Sequence, residues 1–278
     1  MDPAPRGRPT PRPLAHITLT PLVAMLACGI DSEQAPRVER SVVVDSRALG
    51  AFDNDLGYHI EITTLRVAFD NVEFTTGGEM HASLSQRLGE LFIPTAHAHP
   101  GHYAGGEITG EMLGRFVVDW LDDGADLGTA TMLVADYTGA NFVFTRARAG
   151  DGIAADDPLI GHTMEIAGIA TRDGERWDFH GFLDEEDGKR VVGLPIGEEI
   201  AAGATTPHLV IDEDGDEVLG LQMLMVDPFE GDTAFDNLDF AVLDDDDDGM
   251  VALVPGEIAA NYVIKQLQVH DQYAVRVR

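Results

Sequence analysis

Residues 162–184 read HTMEIAGIATRDGERWDFHGFLD, and this stretch decides the fold class. Asp173-Gly174 can supply the two positive φ angles of a two-residue hairpin turn. Pairing outward from that turn gives one apolar face, on which Ala170 lies opposite Trp177, Gly168 opposite Phe179, Ile166 opposite Gly181 and Met164 opposite Leu183. The other face carries Glu165, Thr171, Arg176, Asp178 and His180. A half-buried antiparallel strand pair has such a polar side, so we expect His180 to be an ordinary surface residue.

The rest of the chain repeats this pattern of short β-type runs separated by Gly, Asp and Asn. Apolar parity changes between Ile62 and Leu65, which predicts a bulge near Thr64. The run at 217–227 is apolar on both parities and predicts a strand buried on both faces, with Met223 and Met225 in core packing. Further strand candidates are RFVVDWL at 115–121, TATMLVADY at 129–137, NFVFTRA at 141–147 and YAVRVR at 273–278.

A single segment has a strong helical pattern, PGEIAANYVIKQLQVH at 255–270. Pro255 stands at its start, and Ala259, Val263, Leu267 and His270 fall on one stripe. Many short strands, one helix and no alternation of strands with helices predict an all-β fold, an antiparallel β-sandwich or barrel with one short C-terminal helix.

The N-terminal segment has the features of an export signal. Arg6, Arg8 and Arg12 precede an apolar stretch at 14–27, which is too short and too polar to span a bilayer comfortably. Met-Leu-Ala-Cys at 25–28 resembles a bacterial lipobox and contains the only cysteine, Cys28. We therefore predict a lipoprotein-type signal peptide at 1–27, a lipidated Cys28 with a polar tether at 28–40, and a single β-sandwich domain at 41–278. The chain would be exported and anchored by lipid on the periplasmic or surface side of a bacterial membrane.

The charge balance is strongly acidic, with 49 Asp and Glu against 18 Lys and Arg and a formal net charge of −31. Only two of the basic residues are lysines, Lys189 and Lys265. Such a field repels nucleic acid and anionic lipid headgroups and attracts cations. Nucleic acid is therefore excluded as a partner, and the membrane is expected to be contacted only through the lipid anchor.

Three histidines cluster in PTAHAHPGHYAGG, at His97, His99 and His102. In an extended chain His97 and His99 project to the same side, and Pro100-Gly101 can turn His102 back towards them. Converging imidazoles suit zinc or copper, which predicts a metal site in this segment. Glu107 and Glu111 are the nearest candidates for a fourth ligand, and the distant candidates are His59, His81, His162, His208 and His270.

The aspartate run at 243–255, LDDDDDGMVALVP, resembles part of a calcium loop. Asp244, Asp246, Asp248 and Gly249 match loop positions 1, 3, 5 and 6, but Pro255 stands where the bidentate Glu belongs. A weak calcium site and a plain solvated acidic loop both remain open. The acidic segment at 211–217 has its glycine too early for such a loop and predicts a charged hairpin turn at Asp214-Gly215.

Three motifs together resemble those of an uncharacterised group of predicted bacterial lipoproteins. They are AHAHPGHY at 96–103, the aspartate run that follows DNLDF at 236–240, and the helix that leads into HDQYAV at 270–275. The resemblance covers most of the region after Cys28, and it implies export but no known activity.

Three functions are compatible with these features. The first is a non-catalytic, lipid-anchored protein that buffers, carries or senses zinc or copper. The second is a cell-surface adhesion or glycan-binding module with calcium-stabilised acidic loops, which would need exposed aromatic rings. The third is a metal-dependent hydrolase that uses Glu107 or Glu111 as base. No Gly-x-Ser-x-Gly elbow, Walker loop or nucleophilic cysteine occurs, so no catalytic residue is predicted and a protein partner is not specified.

Overall fold

In the computed structural model, the described residues form thirteen strands that join in one hydrogen-bonded sheet. The structure describes residues 36–76, 106–197, 208–228 and 230–278. The strands are β1 Arg37–Val44, β2 Phe52–Asp53, β3 His59–Thr76, β4 Glu107–Asp119, β5 Asp126–Leu133, β6 Ala135–Phe144, β7 Met164–Arg172, β8 Glu175–Leu183, β9 Arg190–Leu194, β10 Leu209–Ile211, β11 Leu219–Met223, β12 Met250–Leu253 and β13 Tyr273–Val277. Two short helices, α1 Phe240–Leu243 and α2 Ile258–Gln266, complete this part of the chain with 3-10 turns at Ser46–Ala48 and His270–Gln272. The all-β prediction is confirmed.

The hairpin of β7 and β8 has the register that the sequence predicts, residue for residue, from Arg172↔Glu175 to Met164↔Leu183. The turn residues Asp173 and Gly174 have φ of 54° and 90°, the left-handed values that this turn requires. The predicted bulge is also present, because the register of β3 against β7 shifts between Ile62 and Thr64. Turn chemistry and apolar alternation therefore suffice to fix this part of the sheet.

The long strand β3 belongs to two leaves of the sheet. Its first half pairs with β7 and its second half with β6 along the same edge, while β4 pairs along the opposite edge. The first leaf has the strand order β12-β8-β7-β3. The second leaf continues from β3 through β4, β5, β1 and β11 to β13, and it includes β6, which pairs with β3, and β9, which pairs with β6. One hydrophobic cluster contains residues of both leaves, such as Ile166 and Phe179 with Val42 and Phe142, which gives the fold its β-sandwich character.

The strands of the second leaf close into a ring. Ile196, just after β9, forms a parallel bridge with Val275 of β13, and β9 pairs with β6, which returns to β3. The backbone N–H of Val275 donates to the carbonyl of Pro195, and the N–H of Gly197 donates to Val275. The terminal strand therefore closes an edge, as its clean alternation predicts.

Aromatic side chains fill the core in two groups. Phe69, Trp120, Phe142 and Tyr273 pack inside the second leaf, with the Phe142 and Tyr273 ring centroids 4.8 Å apart. Tyr58, Phe179, Phe235 and Phe240 pack under the first leaf. α2 covers the core with Ala259 and Val263, and Leu267 directly after it is also buried. The predicted helical stripe thus ends early, because His270, its fourth member, lies in the following 3-10 turn.

Several details differ from the sequence-based expectations. β1 begins at Arg37, earlier than the expected domain start at residue 41, because Arg37–Val43 pair with β5 and the guanidinium of Arg40 is held by Glu217. Residues Ala35–Arg278 form one compact unit. The candidate strand at 129–137 is divided between β5 and β6, and α1 is an additional single-turn helix. The sheet is mostly antiparallel, but β1 pairs with β11 and β12 with β8 in parallel.

Candidate metal sites

The histidine cluster belongs to the connection between β3 and β4. His97, His99 and His102 lie outside the described residues, as do His81 and Cys28. The two ends of the connection are described: Thr76, the last residue of β3, is the register partner of Glu107, the first residue of β4. The hydroxyl groups of Thr76 and Thr109 are 3.3 Å apart and join the strands at this end.

Glu107 and Glu111 are both exposed, but they hold different positions on β4. Glu107 stands where the connection re-enters the sheet, whereas Glu111 lies further along and pairs with Glu73 of β3. Arg190 donates to Glu73, so a cation offsets the charge opposite Glu111. Four residue steps along the strand place the two Cα atoms at most about 13 Å apart, at roughly 3.3 Å per step. The two carboxylates therefore serve one ion poorly, and Glu107 is the one beside the connection.

The loop between α1 and β12 brings three carboxylates together. Ligand oxygens of Asp244, Asp246 and Asp248 all lie within 4.8 Å of one another. Asp244 is 8% exposed, and its two oxygens accept the backbone N–H groups of Asp248 and Gly249 at 3.1 and 3.0 Å. Oxygens this close could share one Ca²⁺, whose bonds to oxygen are about 2.3–2.6 Å long. The predicted trio is thus assembled, but Asp244 already has hydrogen bonds on both oxygens.

The position of this loop is fixed by the first leaf. The carbonyl of Gly249 accepts the backbone N–H of Asp178 in β8, and Val251 is buried at 2% exposure. Gly181 permits the close approach of β12, because a Cβ there would collide with the backbone carbonyl of Leu253. Glu257 is exposed at the start of α2 and is not part of the aspartate group. The twelfth-position carboxylate of a full calcium loop has no replacement in this group.

Four described histidines contact carboxylates instead of each other. His59 meets Asp53 at 2.7 Å, His162 meets Asp184 at 2.8 Å, His180 meets Glu165 at 3.2 Å and His270 meets Asp271 at 3.1 Å. His180 is on the outer face of its hairpin with a side chain 48% exposed, as predicted. Within the described ranges, neither these residues nor His208 belong to a group of three metal-ligating side chains.

Two ion pairs with buried or mostly buried carboxylates, which sequence reasoning missed, hold parts of the described chain together. Asp45 is fully buried, and its carboxylate accepts from the Arg47 side chain at 2.5 and 2.7 Å and from the Gln222 amide at 2.9 Å. The Arg47 hydrogen bonds lower the pKa of Asp45, against the opposing effect of burial. Arg66 of β3 likewise lowers the pKa of Asp157 by its hydrogen bond. This ion pair joins the loop at 153–163 to β3.

Aromatic exposure bears on the glycan-binding alternative. Across residues 36–76, 106–197, 208–228 and 230–278, no aromatic side chain is among the exposed large hydrophobic residues. The least buried rings, such as Trp177 and Phe182, are half-buried, and His162 stacks on Phe182 at 4.8 Å. This part of the chain therefore presents no flat aromatic platform for a sugar ring.

The chain matches no known family model, no curated protein and no solved structure. Among the described residues, no helix has both the length and the apolar character needed to cross a membrane.

Proposed function

We propose that this chain is an exported, lipid-anchored protein that binds zinc or copper outside the cytoplasm and buffers, carries or senses that metal. The observation that carries the proposal is the His-x-His-x-x-His sequence at 97–102, on the connection between β3 and β4. The ends of that connection, Thr76 and Glu107, are register partners. Hairpin connections need only about two to five residues. The chain at 77–106 is therefore much longer than strand pairing requires, and long connections on a rigid sheet often carry binding residues.

The chemistry of the donors supports zinc or copper over calcium or magnesium at this position. Neutral imidazole is a good ligand for zinc and copper, and carboxylate oxygen is preferred by calcium and magnesium. Glu107 is the proposed fourth ligand because it directly follows the connection. Glu111 is less suitable, since it lies well along β4 and pairs with Glu73.

The test compares the affinities of matched histidine variants for zinc and copper by calorimetric titration. His99→Ala should lose most of the affinity, because one of the shared ligands is removed. His180→Ala should bind as the wild type does, since His180 is exposed in β8 and contacts Glu165. Affinity should also fall below about pH 6.5, because protonated imidazole cannot bind a metal.

The triple variant H97A/H99A/H102A serves as a control for folding. It should unfold at the same urea concentration as the metal-free wild type, but metal should no longer raise its melting temperature. Equal affinities in wild type, His99→Ala and His180→Ala would refute the proposal. Loss of metal binding after Glu107→Gln but not after Glu111→Gln would identify the fourth ligand.

Calcium is the second ion that we propose, bound weakly by Asp244, Asp246 and Asp248. Its support is the mutual approach of the three carboxylates to within 4.8 Å. Hydrogen bonds already occupy both oxygens of Asp244, and the carboxylate of loop position 12 is missing. Such a site belongs to the weak extracellular class, with a Kd of about 10⁻⁴ to 10⁻³ M.

A further inference from the structure

The two lysines of this chain line the same open groove. Lys189 stands immediately before β9, and Lys265 is in the last turn of α2, so they come together only through the fold. The groove has a volume of about 590 Å³. This value falls within the roughly 300–1,000 Å³ that is usual for small-molecule sites.

Lys189 and Lys265 differ from most cations of this protein in their partners. Ten arginines form ion pairs with carboxylates: Arg40, Arg47, Arg66, Arg115, Arg146, Arg148, Arg172, Arg176, Arg190 and Arg278. Neither lysine ammonium pairs with any carboxylate in the described part of the chain, although the protein has 49 Asp and Glu. Two lysines without a direct ion pair in one groove are therefore unusual among the described residues.

The other charged groups of the groove already have partners. Arg190 donates to Glu73 on β3, and His270 contacts the buried Asp271 at 3.1 Å. Asp227 is 7% exposed and accepts the backbone N–H of Glu230 at 3.1 Å. Neither lysine ammonium has such a contact with a carboxylate in the described part of the chain, so both can donate to a ligand.

An apolar surface lies beside the lysines. Val191, Val192 and Val269 line the groove together with the charged groups. Val192 and Val269 are 37% and 39% exposed, so they offer apolar area to a bound molecule. A ligand that fits both features has an oxyanion at one end and a short hydrocarbon part.

We propose that this groove binds a small organic anion, with its phosphate or carboxylate group held between Lys189 and Lys265. No residue that lines the groove belongs to the aspartate loop, and the ligand proposed here does not depend on the metal-binding proposal. The net charge of −31 repels anions at long range. Screening acts over about 8 Å at physiological ionic strength, so the groups that line the groove set its local potential. These groups are the basic residues Lys189, Lys265 and Arg190 and the acidic residues Asp227, Glu230 and Asp271.

Amine acetylation measures occupancy of the groove directly, because the chain has no other lysine side chain. The folded protein is treated with an N-hydroxysuccinimide acetate in increasing inorganic phosphate or succinate, with sodium chloride holding ionic strength constant. Mass spectrometry then gives the acetylation rates of Lys189 and Lys265. Both rates should fall with the same midpoint concentration of anion. Protection by phosphate alone or by succinate alone identifies the oxyanion, whereas unchanged rates with both anions overturn the proposal.

Variants that each remove one positive charge distinguish anion binding at the two lysines from an effect of net charge. Lys189→Met and Lys265→Met should each weaken binding of the protecting anion by roughly tenfold in calorimetric titration, the effect of losing one charge-assisted hydrogen bond. Arg37→Met is the matched control, because Arg37 is an exposed cation outside the groove and has no described ion pair. It should bind as the wild type does. Equal weakening in all three variants would reduce the effect to net charge and refute the site.

Discussion

Asp45 and Asp178 make the same local contact in opposite surroundings. Asp45 pairs with Arg47 and Asp178 with Arg176, in both cases two residues away along the chain and at 2.5–2.6 Å. The Asp45 side chain is 0% exposed, whereas that of Asp178 is 42% exposed. Burial, and the additional hydrogen bond from Gln222, should make the first pair far more important to the free energy of unfolding.

Replacing each aspartate by asparagine tests this difference. Asp45→Asn should lower the free energy of unfolding by about 1–3 kcal/mol, because an amide donor would face the Gln222 and Arg47 donors. Asp178→Asn should lower it by less than about 1 kcal/mol, as expected of an exposed pair. Urea unfolding at neutral pH measures both values, and equal losses would contradict this interpretation of the buried pair.

The contribution of Asp45 to the free energy of unfolding should change with pH in one direction. Because the pKa of Asp45 is lowered in the folded state, its stabilisation is complete above the unfolded value of about 3.9. This stabilisation is lost as the pH falls towards the lower pKa that Asp45 has in the folded state. The difference in stability between wild type and Asp45→Asn should therefore shrink on acidification, and a difference that grew instead would show the opposite pKa shift.

Among the structural elements, those with local signals were predictable. The turn at Asp173-Gly174 and strict alternation determined the β7–β8 register, and the parity change determined the bulge at Thr64. The division between β5 and β6 was missed because the apolar pattern of 129–137 continues through it. The parallel pairs and the bridge between Ile196 and Val275 join segments far apart in the chain, so no local pattern indicates them.

The candidate sites, like the strands, were predictable only where their residues are close together in the sequence. The aspartate trio was visible because its members are two residues apart along one loop. The lysine groove and the Asp45 pair with Gln222 were not visible, since each depends on distant elements meeting. The composition contained one clue to the groove, the restriction to two lysines, but no indication that β9 and α2 are neighbours.

The loop between α1 and β12 should respond to calcium only at millimolar concentration. With a Kd of about 1 mM, 10 mM calcium would stabilise the folded state by about 1.4 kcal/mol through mass action. Thermal melts with calcium and with chelator measure this shift. Asp246→Asn should abolish most of it, whereas Asp214→Asn, with the same charge change in another acidic segment, should keep it. Identical melts of the wild type with and without calcium would leave the loop as a solvated turn.

At the scale of the whole molecule, the proposed lipid anchor determines where the protein resides. Cys28→Ser should prevent lipid attachment and move the protein from the membrane fraction to the soluble fraction. Ser32→Ala, a substitution in the same polar stretch, should leave the distribution unchanged. Cell fractionation with labelled palmitate measures both effects. A wild-type protein that remains full-length, unlabelled and soluble would contradict the anchor and the predicted cleavage before Cys28.

The closed ring of strands has a consequence for the rate of folding. β1 cannot complete its parallel pairing until β11 arrives, as in Val42↔Leu219, and β13 must then fit between β11 and the residues after β9. Contacts between such distant segments require unfavourable loop closure before they stabilise anything, so folding dominated by them is slow, typically milliseconds to seconds. For the export that we propose, this delay would be useful, because a chain that crosses a membrane must stay unfolded until it has passed. The topology that stabilises the finished molecule would then also lengthen the time during which the nascent chain can be secreted.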